Sequence, residues 1–255
     1  MLALMDRNMA EMYREMTRAT PGGWIVERTG LVLLGSPGGS VTTNMAIVTG
    51  AVSADVVRAE TDRWFRSPGL PFSVWTRAHA DGALEAALRA AGFFQVTETP
   101  GMVFVPGAGR RGALPADTVI RPVDDDAGRE AFGEIMAEAY AVYGTPPEST
   151  REKFVRLESV VGPTTQAYLA VHRGEPVAGA ILYLSHGIGG IGWVGTRPRA
   201  FGRGFGTAVT WEVIEQGLAR GVPFLNLQAS PMGAPVYRRM GFTTPTQYHV
   251  FVATD

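Results

Sequence analysis

Residues 195–206 read Gly195-Thr196-Arg197-Pro198-Arg199-Ala200-Phe201-Gly202-Arg203-Gly204-Phe205-Gly206. A strand-like run, Ile191-Gly192-Trp193-Val194, precedes them. A helix-like run, Thr207-Ala208-Val209-Thr210-Trp211-Glu212-Val213-Ile214, follows. Strand, glycine-rich turn and helix start together build a backbone anion site. Glycines let successive N–H groups converge on a phosphate, and the helix N-terminus adds partial positive charge. Arg197, Arg199 and Arg203 bring full charges to the same loop. Two other phosphate-binding loops do not fit. A P-loop needs Gly-Lys-Ser/Thr, a triplet absent from the chain. A dinucleotide loop needs Gly-x-Gly-x-x-Gly after the first strand of its domain, and here the glycines are spaced differently and come late.

A second segment lies just downstream. Pro223-Phe224-Leu225-Asn226-Leu227-Gln228-Ala229-Ser230 alternates like a buried strand. Pro231-Met232-Gly233-Ala234-Pro235-Val236-Tyr237-Arg238-Arg239-Met240-Gly241-Phe242 then carries proline near a helix start and glycine past its end. The two segments together resemble the cofactor core of the GNAT acetyltransferases. The first resembles that family's acyl-CoA pyrophosphate loop, (Gln/Arg)-x-x-Gly-x-(Gly/Ala), with Gly204 and Gly206 on its two glycine positions. Phe201 stands where the family usually has Arg or Gln. This departure bears on the grip on phosphate and leaves the backbone cradle in place. The second segment is similar to the family's short helix bearing Tyr with Gly-Phe four residues later, matched by Tyr237 and Gly241-Phe242.

The bulk properties are compatible with this. A length of 255 residues suits one large or two small domains, and 45% hydrophobic residues suffice for a substantial globular core. The net charge of −1 gives no reason to expect nucleic acid or a membrane as partner. There is no cysteine, which removes disulfides, thiolate nucleophiles and cysteine metal sites. His79, His172, His186 and His249 lie far apart in sequence, so no metal site is expected. The N-terminus lacks the basic start and long apolar region of a signal peptide, and no apolar run is long enough to span a bilayer. Cytoplasmic is the default location.

Pro106-Gly107-Ala108-Gly109-Arg110-Arg111-Gly112-Ala113-Leu114-Pro115 reads as a linker. Before it, Leu2, Met5, Met9, Met12 and Met16 form one face of an amphipathic helix. Strands follow over 24–26, 31–34 and 44–48. Residues 54–65 read as a helix, 72–76 as a strand and 83–91 as a helix ending at Gly92-Phe93, and 102–105 as a closing strand. Gly35-Ser36-Pro37-Gly38-Gly39-Ser40 is a loop. After the linker come a strand at 119–121, helices over 124–140 and from Pro146 to about Val160, and a hairpin of 167–172 with 177–185. A strand at 188–194, the glycine loop, a helix over 207–220, a strand over 224–229, the Tyr237 helix and a strand over 248–252 complete the order.

That C-terminal order resembles the whole GNAT core. Leu88-Arg89-Ala90-Ala91-Gly92-Phe93 parallels Tyr237-Arg238-Arg239-Met240-Gly241-Phe242, with Leu88 in place of the tyrosine and no arginine-flanked glycine loop before it. The chain is thus similar to a tandem GNAT protein. Residues 1–108 would be a degenerate first copy, 109–116 a linker and 117–255 the domain with the acyl-CoA site. The fold class is α/β (a mixed α+β sheet), each domain a mostly antiparallel sheet flanked by helices.

The resemblance implies an acyl-CoA donor, acetyl-CoA in the simplest case, and direct attack by an amine. It implies that Trp193, Val194, Gly195 and Thr196 bind the pantetheine arm and carbonyl. Arg199, Phe201, Gly202, Arg203, Gly204, Phe205, Gly206 and Thr207, with Ser230, would complete the cofactor site, Arg199 and Arg203 partly standing in for the cation missing at 201. Tyr237 would be the general acid. Tyr140, Tyr143 and His186 are candidates for the acceptor side. The base is open among His186, His172, Glu138 and a water chain. Gly187, Gly189, Gly190, Gly192 and Gly195 leave the central strand with few side chains, a gap that could admit the acyl chain or the acceptor or mark a bulge. The acceptor would be a small-molecule or peptide amine, and a homodimer is compatible with the sequence. Two other readings stay open: a non-catalytic acyl-CoA-binding regulator, and a structural or partner-binding module.

Overall fold

A computed structural model describes residues 1–253. The N-terminal half runs α1 (Leu2–Ala19), β1 (Trp24–Arg28), β2 (Leu31–Gly35), β3 (Met45–Val48), α2 (Ala54–Thr61), β4 (Ser73–Arg77), α3 (Gly82–Ala90) and β5 (Phe93–Phe104). A π-helical turn, Asp62–Arg66, extends α2. The C-terminal half runs β6 (Thr118–Pro122), α4 (Asp126–Ala141), α5 (Pro147–Arg151), β7 (Thr165–His172), β8 (Glu175–Ser185), β9 (Ile188–Thr196), α6 (Phe205–Ala219), β10 (Leu225–Gln228), α7 (Ala234–Arg239) and β11 (Thr243–Ala253).

Among the described residues, eleven strands form one mixed sheet, ordered β1-β2-β3-β4-β11-β5-β10-β9-β8-β7-β6. The halves exchange their last strands. β11 pairs with β4 of the first half, and β5 pairs with β10 of the second. β5 and β11 also pair with each other, antiparallel, along most of their length. Each exchanged strand follows a short helix through a left-handed glycine, Gly92 (φ 86°) or Gly241 (φ 101°). Glycine takes that conformation without the penalty a Cβ imposes. The two Gly-Phe helix ends read from sequence thus occupy equivalent places. Residues 93–104, at the end of the expected first domain, are bonded on both sides to strands of the second.

α1 is the amphipathic helix its methionines predict, with Met5, Met9, Met12 and Met16 buried. It also buries polar side chains. Asp6 accepts hydrogen bonds from Tyr248 (2.8 Å) and lies 3.2 Å from His79 Nε2. Asn8 donates to Ser185 Oγ at 2.8 Å and accepts from Asn226 Nδ2 at 2.8 Å. The helix is therefore fastened to both halves. The glycine stripe of β9 serves this packing. A Cβ on Gly190 would lie 2.3 Å from Asn8 Oδ1, one on Gly192 2.7 Å from Met12 Sδ, and one on Gly195 2.9 Å from Met136 Sδ. The gap on that strand is filled by α1 and α4, not by substrate. The expected long helix from Pro146 to Val160 is instead α5 followed by two 3-10 turns, Glu152–Phe154 and Leu157–Ser159. Phe154 and Val160 both enter the core, six residues apart, a spacing that a continuous helix does not put on one face.

Candidate active site

Two irregularities open the sheet beside the glycine loop. β9 and β10 are parallel and pair only through Leu225–Gly189 and Asn226–Gly190, then part. On its other side β9 carries a bulge against β8. Gly179 faces Gly195 and Ile181 faces Gly192, so Trp193 and Val194 together oppose Ala180. Trp193 takes φ 48°, an uncommon conformation for a bulky residue. Bulges of this kind re-aim side chains and leave backbone groups unpaired next to active sites. Trp193 is held in place by Met16, whose sulfur accepts its indole N–H at 2.8 Å, and by a tilted ring contact with Tyr140 (4.7 Å between centroids).

The chain then turns through Gly202 (φ 73°) and Gly204 (φ 83°) into α6. Gly204 is the N-cap and offers no side-chain acceptor, and the first turn of α6 holds no acid. The N–H groups of Phe205, Gly206 and Thr207 therefore have no intrahelical partner and point out of the helix end. Gly206 lies so close to β9 that a Cβ would sit 2.9 Å from Thr196 Oγ1. The corresponding helix of the first half is built differently. Ser53 Oγ caps α2 by accepting from Val56 N–H at 3.4 Å, and Asp55 puts a negative charge in its first turn.

A cavity of ≈ 390 Å³ opens at the start of α6. Val194, Gly195 and Thr196 line one side, and Phe201, Gly202, Gly204, Phe205, Gly206 and Thr207 line the end. Tyr140, Tyr143, Ser230, Tyr237 and Arg239 are among the residues that close it. Ser230 Oγ lies 2.9 Å from the Tyr143 hydroxyl and accepts Gly233 N–H at 3.1 Å, which fixes the turn into α7. A second cavity, of ≈ 340 Å³, lies between the halves beneath the parted strands. The two share Tyr140, Tyr143, Val194, Ser230 and Tyr237. Tyr237 is buried against Phe242, and no hydrogen-bond partner for its hydroxyl is found among the described residues. Burial pushes its phenol well above the ordinary tyrosine value, with the Tyr143 hydroxyl a lesser cause. Tyr140 is shifted the same way, again chiefly by burial.

The loop arginines do not line the cavity. Arg197 is bound to Glu138 and donates to the Pro176 carbonyl at 3.0 Å. Arg199 pairs with Glu175 at 3.2 Å on the surface. Arg203 lies over the Phe205 ring, 4.9 Å from its centroid, and reaches His172 Nε2 at 3.0 Å. Arg239, which the sequence reading passed over, is the cation that lines it. His186 sits in the β8–β9 turn (φ 53°), at the opposite end of β9 from the bulge, beside Glu11 and Arg14. It is not brought to Tyr237, and neither His172 nor Glu138 lines either cavity. The sequence reading also missed the contribution of the first half to the second cavity: Tyr13 on α1, Thr42 and Thr43 before β3, Trp75 on β4 and Thr99 on β5.

Residues 130–242 match the family described as Acetyltransferase (GNAT) family. No curated protein matches the sequence. Among solved structures, a GCN5-related N-acetyltransferase from Kribbella flavida is similar over 99% of this chain and 95% of its own, at TM-score 0.75 and 20% identity. A tandem GNAT protein from the clavulanic acid biosynthesis pathway is similar over 91% of this chain and 82% of its own (TM-score 0.61, 16% identity). A GCN5-related N-acetyltransferase from Sphaerobacter thermophilus covers 87% and 79% (TM-score 0.56, 18% identity). At these identities the structural likeness speaks for the fold. The family match is a similarity of residues 130–242, less than half of the chain, to the GNAT acetyltransferases.

Proposed function

We propose that the chain transfers an acetyl group from acetyl-CoA to the primary amine of a small molecule or peptide by direct attack, using one donor site, in the C-terminal half. The observation that carries this reading is the start of α6. It has a left-handed glycine cap, no side-chain acceptor and no acid, and it opens onto a cavity that ends at Tyr237. The residues fit the donor. The N–H groups of Phe205, Gly206 and Thr207 would receive the pyrophosphate, and a side chain at Gly206 would have no room against Thr196. Arg239 would supply the cation that Phe201 does not. The bulged edge Trp193–Thr196 would hold the pantetheine amides. The capped, acidic start of α2 argues against a second donor site in the first half.

When bound, the thioester supplies an acyl group activated toward amines. Tyr237 holds a proton at its Oη where the two cavities meet, and burial keeps it there throughout the working pH range. A thiolate departing at that point would take this proton. The rings of Tyr140 and Trp193, in contact at 4.7 Å between centroids, form an aromatic wall beside the junction.

A second reading, a non-catalytic acyl-CoA binder, draws on Phe201 and on the lack of a carboxylate or imidazole among the described residues of either cavity lining. Calorimetry with CoA and thiol release from acetyl-CoA with a panel of amines separate the two. Binding with amine-dependent thiol release is the expected result. Binding without release for any amine would favour the second reading, and no binding would defeat both.

A further inference from the structure

The second cavity has a chemical character that narrows the acceptor. This inference rests on the acyl-transfer reading above. None of the described residues lining that cavity is Asp, Glu, Lys, Arg or His. Its polar groups are neutral hydroxyls and one amide, among them Thr43, Thr99 and Gln228. Its walls are aromatic. Tyr13 and Trp75, from the first half, pack against each other at 5.8 Å between centroids, and Tyr140 and Trp193, from the second, at 4.7 Å. Trp75 is fixed from behind, its indole N–H donating to Ser73 Oγ at 3.1 Å.

A second ammonium, a carboxylate or a phosphate on the acceptor would be desolvated there without a partner of opposite charge. Burying an unpaired charge is costly, and this disfavours such a molecule. Aromatic faces, by contrast, favour an aromatic body in stacked or edge contact. The described lining also lacks a base, so none of those side chains removes a proton from an ammonium. We infer that the acceptor is a primary amine on an uncharged aromatic body, with no second ionisable group, and that it enters the cavity unprotonated. Trp75, in the half without the donor site, forms part of its binding wall. In the transfer the amine nitrogen bonds to the acyl carbon as the carbon–sulfur bond breaks. The amine gives up a proton to water, the thiolate takes one from Tyr237 Oη, and water restores the phenol.

The test measures thiol release from acetyl-CoA with p-anisidine, phenethylamine, spermidine and L-lysine. The two aromatic amines should be the better acceptors by kcat/KM. The phenethylamine rate should rise with a slope of about one on a log scale below that amine's own pKa, since the protein supplies no base. Trp75→Ala should raise KM for p-anisidine about tenfold, the size of one lost aromatic contact, with KM for acetyl-CoA unchanged. Trp75→Phe should largely restore it. Thr99→Asp, which puts a carboxylate into the wall, should improve spermidine relative to p-anisidine. Preference for spermidine or lysine in the native protein would overturn the inference and leave the acetyltransferase reading intact. So would an unchanged p-anisidine KM in a folded Trp75→Ala protein. Acetyl-CoA binding without thiol release for any amine would overturn the transferase reading and the inference with it.

Discussion

Replacing Tyr237 by phenylalanine separates chemistry from binding and from folding. The ring is buried and packs on Phe242 at 5.5 Å between centroids, contacts that phenylalanine keeps. The hydroxyl has no protein partner among the described residues, so its removal leaves no donor or acceptor stranded. Stability should change by less than about 1 kcal/mol, the scale of a single hydrogen bond. The proton at Oη is lost altogether. A positioned acid contributes roughly 10²–10⁴ in rate, which corresponds to about 3–5 kcal/mol of barrier. Expected, then, is a fall in kcat of that size with the affinity for CoA and the melting temperature unchanged. Because burial holds the phenol above its ordinary value, it stays protonated through neutral pH and beyond. The native kcat should therefore show no alkaline loss from this group below about pH 10. Steady-state thiol release, CoA calorimetry and a thermal melt of the same preparation form the assay. Equal kcat in the variant would mean that another group or water supplies the proton. A loss of affinity equal to the loss of rate would mean that the hydroxyl only holds the donor.

Three further outcomes follow from the same geometry. Phe201→Arg should tighten CoA by about 1 kcal/mol or less, as exposed charge pairs do, and calorimetry at low and moderate salt reads it. Arg239→Glu should weaken CoA about tenfold and flatten the salt dependence of binding, because it reverses the cation of the lining; unchanged affinity would remove Arg239 from the site. Lys153 is 5% exposed, and burial lowers its pKa from 10.5 to about 8. The unfolded chain holds that proton up to pH 10.5, so the folded state is penalised below pH 8 and the penalty fades as pH rises to 10.5. Lys153→Met should stabilise the protein by up to about 3 kcal/mol at pH 7, with the gain gone above pH 10.5, as denaturant melts at the two pH values would show.

The C-terminal half was largely legible because its signals are local. A glycine run between an apolar strand and an apolar helix specifies a turn, and the turn specifies the helix start that faces the first cavity. The short helix α7 was readable from its punctuation, since proline and Gly241 fix both of its ends, and Tyr237 was singled out by the family resemblance. What escaped the sequence is long-range. Alternation marks Phe93–Phe104 and Thr243–Ala253 as strands, but it carries no information about which neighbour each pairs with, so the exchange between halves was invisible. The arginines illustrate a related limit. Arg199 and Arg203 stand beside the glycines in sequence, yet Glu175 and the Phe205 ring claim them, while Arg239 reaches the cavity from α7. The β9 glycines had two physical uses, space for a ligand or space for a helix. Asn8 and Met12, about 180 residues away in sequence, decided for the helix. The wall of the second cavity has no motif at all, because Tyr13, Trp75 and Thr99 come from three elements that meet only in the folded chain.

The most direct test of the account is a calorimetric titration of CoA into the native protein and into Gly204→Asp. Position 204 is the N-cap of α6 at φ 83°, where aspartate is among the better tolerated side chains, so the fold should survive at a cost of about 1 kcal/mol, checked by circular dichroism. Its carboxylate would accept the free N–H groups of the first turn and place a negative charge where the phosphates are received. One CoA per chain in the native protein, and binding abolished or weakened more than about a hundredfold in the folded variant, is the predicted result. Two CoA molecules per chain, or unchanged affinity in Gly204→Asp, would contradict the assignment of a single donor site to the start of α6.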